Sequence, residues 1–236
     1  MDALPNADTV EKQSTGFAPT AFPKAVDSRT GVSVEYIRDP GRHRKWYVFR
    51  ASYGRSSSAS DYLIQNGIYV YSPKIEKAER RLHGVKTFLV DLLPNFVFAY
   101  ITPAEARRVI SGQVNDGFSG SPAEAFQTSA ILSYYYNHCT TDEFGKNPPL
   151  TITEQQMESF IIATSTHDPN ILDLEGKAYT YKSDDEVVVV DGKFKGVHGR
   201  VVRVNRQQRV LIELSGFKVF ATAYIPSAFI RKCGRS

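Results

Sequence analysis

The side chains best suited to chemistry are scattered along this chain of 236 residues rather than gathered. Cys139 and Cys233 lie far apart, in no C-x-x-C or paired Cys/His spacing that would cage a zinc ion. They read as free thiols in a reducing compartment. His138 stands beside Cys139, but neighbours on a strand point in opposite directions, so the dipeptide reads as neither a metal site nor a nucleophile. Tyr53-Gly54-Arg55-Ser56 brings a hydroxyl and a guanidinium into one turn. It lacks the spacing of a phosphate-binding loop, and no Ser/His/Asp or paired-carboxylate arrangement stands out. The chain is therefore read as no enzyme, needing neither cofactor nor metal.

Charge carries more information. The formal net charge of +4 hides three regions. Arg38 to Arg55 holds six basic residues against one acid, Thr102 to Glu186 five against thirteen, and Val187 to Ser236 ten against two. Two basic regions flank an acidic one, a distribution that fits either solvated surface or contact with a polyanion. No stretch approaches the ~18 apolar residues of a membrane span, and Met1 to Val10 lacks the basic and apolar regions of a signal peptide. The expected location is cytoplasmic, without a membrane partner.

The elements that would position these groups follow from pattern. Residues 1–44 carry four prolines (Pro5, Pro19, Pro23 and Pro40) and little periodic apolar content, so an extended tail is expected, with Val32 to Ile37 a weak strand-like piece. Trp46 to Phe49 has strand composition. Ser56, Ser57 or Ser58 would cap a helix whose apolar face is Ala59, Tyr62 and Leu63, ended by Gly67. Ile68 to Tyr71 reads as a strand, and Ile75 to Arg81 with Val85 to Leu89 as a hairpin tipped by His83-Gly84. A strand at Val97 to Ile101 and a helix opened by Thr102-Pro103 follow. Gly112 to Pro122 reads as a loop, Ala123 to Leu132 as a short helix or irregular insertion, Tyr134 to Tyr136 as a strand, and Glu154 to Ala163 as a helix with Met157, Phe160 and Ile161 on its core face. Residues 167–183 form the expected linker. Five short strands in the last fifty or so residues imply a small closed barrel.

Glu186 to Val204 resembles a KOW motif. Asp191-Gly192 permits a turn with positive φ, and Gly196 and Gly199 let the chain reverse between two strands. A phosphate loop would need a helix after the last glycine, and a Val-rich strand follows instead. KOW barrels also occur in ribosomal proteins, so a ribosome- or RNA-binding protein of translation is the alternative. Trp46-Tyr47-Val48, then Tyr71-Ser72-Pro73, then Leu92 to Phe98, resembles the N-terminal domain of the NusG family, which carries W-Y-V near its start and F-P-G-Y-V-F later. Asn95 replaces the usual Gly and Phe96 the usual Tyr. Because Asn tolerates the left-handed region, the turn is expected to survive. Specialised RfaH-like members carry L-F-P-N-Y here, and Ala221 to Pro226 is similar to the UpxY-type antiterminators of capsular polysaccharide loci.

The resemblance implies an α+β chain: a NusG-like domain at 45–166, an antiparallel sheet flanked by helices, then the linker and an SH3-like KOW barrel at 184–236. It implies a monomeric transcription elongation or antitermination factor. Trp46, Leu93, Pro94 and Phe96 would form an apolar patch for the clamp helices of RNA polymerase. Arg50, Arg55, Lys74, Lys77, Arg80 and Arg81 would touch upstream or non-template DNA, and the KOW domain would recruit a ribosomal protein or Rho.

Overall fold

The computed structural model describes residues 43–82, 84–111 and 132–233. The expected tail up to residue 42, the loop at 112–122, the helix expected over 123–132 apart from Leu132, and the hairpin-tip residue His83 lie outside the described residues.

Strand β1 (Lys45–Ala51) is buried on both faces, which is why its sequence is apolar almost throughout instead of alternating. Trp46 and Val48 face one way, Tyr47, Phe49 and Ala51 the other. It pairs with β5 (Phe96–Ile101), β6 (Leu132–Tyr134) and β7 (Thr151–Ile152), and β2 (Tyr69–Tyr71) extends the sheet beyond β5, all antiparallel. Helices α1 (Ser56–Gln65) and α2 (Pro103–Ser111) cover one face, burying Ala59, Tyr62, Leu63, Ala106 and Val109 against Phe49, Val97 and Ile101. The apolar face expected of α1 is thus the one it buries.

Its capping differs from expectation. No side chain caps α1; Ser56 is the first helical residue, and the hydroxyls of Ser56 and Ser57 donate to Asp91 at the end of β4. Both serines lie inside the helix, past the position a cap occupies, and their hydroxyl protons go to a carboxylate across the fold. Helix α2 carries a reciprocal box instead: Glu105 accepts from the Thr102 amide while its own amide donates to the Thr102 hydroxyl, with Pro103 in the first turn.

Strands β3 (Lys74–Arg81) and β4 (Gly84–Asp91) form a separate two-stranded ribbon, exposed along most of its length. Its base is held by residue 167: the Glu76 amide donates to the His167 carbonyl, and the His167 ring meets the Lys74 carbonyl at 3.1 Å.

The second face of the first sheet packs on α3 (Glu154–Thr164), capped by Thr153, whose hydroxyl accepts from the Gln156 amide. Beyond α3 lies a six-stranded antiparallel sheet, ordered β13 (Ile230–Lys232), β9 (Thr180–Val189), β10 (His198–Val204), β11 (Gln207–Leu214), β12 (Lys218–Ala221) and β8 (Leu172–Asp173). The Phe160 ring lies 5.6 Å from Phe98 of the first sheet and 4.8 Å from Phe220 of the second. One apolar cluster therefore runs from Trp46 through Met157 and Phe160 to Val201, Val210 and Ile212.

Two expectations are corrected here. The segment expected as a linker, 167–183, holds β8 and the start of β9, because Leu172 and Leu174 are drawn onto the apolar cluster around Val202 and Leu211. The small closed barrel is, among the described residues, an open path: β13 pairs only with β9 and β8 only with β12. Much of the apolar face that a barrel would seal within itself is covered by α3.

Candidate functional site

Between β4 and β5 the chain bends at Leu92 to Asn95, and the bend is pinned from both sides. The Phe96 amide donates to the Leu93 carbonyl, and the Ala51 amide to the Asn95 carbonyl. Asn95 does not take the left-handed conformation expected of it. It serves through its side chain, whose Oδ1 accepts from the Gly54 amide at 3.1 Å and so ties this bend to the turn after β1.

The expected apolar patch separates into two groups. Trp46 is fully buried, wedged between Tyr69 and Tyr100 at centroid distances of 5.6 and 5.4 Å, and Leu93 is 5% exposed within the same cluster. Both are core residues in this structure and present nothing to a visitor: Trp46 lies on the face of β1 covered by α3, and Leu93 turns from the bend into the same cluster. Pro94 is exposed, and Phe96 is half-buried. The Phe96 ring makes edge contacts with Tyr135 at 5.5 Å and Phe217 at 4.9 Å. Phe217 belongs to the turn between β11 and β12, where Gly216 has φ +76 and Ser215 accepts from the Gln156 side chain. That turn of the second sheet reaches over the end of the first.

The basic residues occupy three separate surfaces. Arg50 and Arg55 bracket the turn after β1, both exposed. On the ribbon, the register pairs Lys77 with Phe88 and Arg81 with Gly84 on one face, and Lys74 with Asp91 and Arg80 with Val85 on the other. The four ribbon cations therefore do not form one strip.

Near the glycine-rich turn of β9 and β10, Gly192 and Gly196 have φ of +79 and +95, and a Cβ on Gly199 would stand 2.0 Å from the Leu211 carbonyl oxygen. Close by, Arg209 is buried and donates to the carbonyls of Asn170 and Thr222 and to the Gln207 side chain; burial pulls its pKa down. Burial works against the charged form of Asp168 as well, but the hydrogen bonds from Lys193 and Asn170 outweigh it and hold its carboxyl below the ordinary value. These groups clasp residues 168–170 to the second sheet. Every charge there is engaged in holding chain to chain.

Sequence reasoning missed Tyr135 and Phe217 as neighbours of Phe96. Tyr135 was legible in principle, since the middle of three consecutive tyrosines on a strand faces away from the other two. Phe217 carried no signal, because its approach depends on how the two sheets meet across α3.

Among the described residues no group of three or more His, Cys, Asp or Glu is arranged to hold a metal, and no helix is long and apolar enough to cross a membrane. The first sheet thus has helices on both faces, with a partly buried aromatic and an exposed basic turn at its end. Residues 44–125 match the NusG family model, described as transcription termination factor NusG. That family consists of non-enzymatic transcription elongation and termination factors that bind RNA polymerase. A comparison with curated proteins gives no match.

Proposed function

We propose that this chain is a transcription elongation factor of the specialised, antiterminating kind, which docks on RNA polymerase through the surface around Phe96. The observation that carries the reading is the coincidence of the NusG match with an incompletely buried aromatic at Phe96, beside exposed Pro94 and Asn95. An aromatic left partly in water at the end of the sheet favours a partner that covers it. The docking face is narrower than the motif implies, since Trp46 and Leu93 are sealed and Phe217 takes one side of the Phe96 ring. The clamp helices of the polymerase are the proposed occupant, and the second sheet, with its KOW-like turn, is proposed to recruit a further factor such as a ribosomal protein or Rho. The UpxY-like ending at Ala221 to Pro226 supports action at selected operons, those for capsular polysaccharide above all.

Phe96→Glu puts a charge into a contact that offers it no partner. Loss of polymerase in a pull-down, with an unchanged circular dichroism spectrum, is the expected result. Retained binding removes Phe96 from the docking face. In transcription past a terminator by purified polymerase, added protein is expected to raise readthrough; increased termination would favour a general NusG role. Affinity for ribosomal RNA with none for polymerase would point to translation.

A further inference from the structure

The ribbon of β3 and β4 has two outer edges, and they differ. The Leu92 amide donates to the Pro73 carbonyl, so residues 73 and 92 form a hydrogen-bonded pair at the ribbon's base. Such pairs recur at every second residue of an antiparallel ladder, which makes Ile75–Val90, Lys77–Phe88 and Glu79–Lys86 the bonded pairs here. The residues between them turn their N–H and C=O groups outward. On β3 the outward Glu76 amide and Lys74 carbonyl both meet His167, which blocks that edge at its base. On β4 the outward residues are Val85, Thr87 and Leu89, and among the described residues β4 pairs with no strand but β3.

Free edges in soluble proteins are commonly blunted by proline, a bulge or a row of charges. The register of this ribbon runs without a shift, and β4 contains no proline. Its exposed run carries a single charge, Lys86, among apolar side chains: Val85 is 65%, Leu89 45% and Phe88 38% exposed. The edge is therefore both chemically open and apolar, as a strand awaiting another strand would be.

We propose that β4 pairs antiparallel with β4 of a second copy of this chain about a two-fold axis at Thr87. In that register Val85 stands opposite Leu89 of the second copy, Thr87 opposite Thr87, and Lys86 opposite the Phe88 ring. Each outward-facing pair exchanges both of its amide–carbonyl bonds, and the apolar side chains meet on one face. An axis at Lys86 would set two ammonium groups against each other, and one at Phe88 would set Val85 against Asp91. Because His167 blocks the base of the β3 edge, the assembly closes at two copies. The interface is small, so association is weak and concentration-dependent. It departs from the monomer that the resemblance implies, and it stands whether or not the chain binds polymerase.

Sedimentation of the full chain from about 10 μM to about 1 mM is expected to show the apparent mass rising toward twice that of the monomer. Thr87→Pro removes an outward amide that the ribbon's own ladder does not use, so it is expected to stay monomeric with an unchanged circular dichroism spectrum. Cross-linking reads the register in a Cys139→Ser, Cys233→Ser background, since both native thiols are free. Thr87→Cys brings two thiols onto Cα atoms about 5.5 Å apart, and copper-phenanthroline with air is expected to join them, each disulfide giving up two protons and two electrons to oxygen. Val85→Cys lies about 14 Å from its own copy in this register and is expected to stay reduced. An unchanged mass at every concentration overturns the proposal, as does a dimer that survives Thr87→Pro or equal cross-linking of the two cysteine variants. A chain that remains monomeric while its β4 amides slow in hydrogen exchange only when polymerase is added gives the edge to the polymerase, and overturns the pairing too.

Discussion

Tyr53 occupies a backbone conformation that glycine adopts freely, and its side chain contributes almost no burial. Replacing it by glycine removes a steric penalty of about 1–2 kcal/mol, partly offset by the greater chain entropy of glycine in the unfolded state. Tyr53→Gly is therefore expected to unfold at equal or slightly higher denaturant concentration than the parent, by up to about 1 kcal/mol; a clear loss of stability would mean the ring packs on something. The residue was visible in the sequence as part of a polar, glycine-containing turn. Its exposure and left-handed backbone were not, because both belong to a turn that is tied across the fold, Gly54 donating to the Asn95 side chain. Asn95 illustrates the same limit: the bend was legible as Leu-Pro-Asn, but the reason for Asn was read as conformational and turned out to be a hydrogen bond.

Among the elements, the β10 and β11 pairing leaves no room at Gly199, where an added methyl would meet the Leu211 carbonyl and the Val210 side chain. Gly199→Ala is expected to destabilise the fold by about 3 kcal/mol through overpacking, measured by chemical denaturation. A neutral result would mean that the two strands can part locally. The strands and helices of the first sheet were largely readable, since Trp46 to Phe49, Val97 to Ile101 and the Met157, Phe160, Ile161 face have clear period or composition. The second sheet was legible as strands but not in its closure. Val187, Val201 and Ile212 look the same in sequence whether they fill a barrel or pack on a helix, and only α3, donated from before the expected linker, decides it. The hidden start of β9 is of the same kind, because Thr180 to Ser183 reads as polar and is ordered by pairing with β10.

At the scale of the whole molecule the clasp at Asp168 joins the chain after α3 to the second sheet. Its carboxyl is held below the ordinary value, so the stabilisation it provides is complete above the unfolded-state pKa of about 3.9 and is lost as the pH falls through the lower folded value. Asp168→Asn is expected to lower stability at neutral pH and to narrow the difference from the parent as acid is added below about pH 4. Denaturation curves across that range check it; a gap that stays constant would show that charge plays no part. Because the two sheets share one apolar cluster, the described fold is also expected to lose both together in a single transition.

The chain has one tryptophan, and it sits sealed against Tyr69 and Tyr100 in the cluster that reaches into both sheets. The molecule thereby carries its own optical gauge. Light absorbed by the two tyrosines passes to a shielded indole that emits at short wavelength, and any event that lifts α3 from the first sheet and admits water reddens that emission without a label.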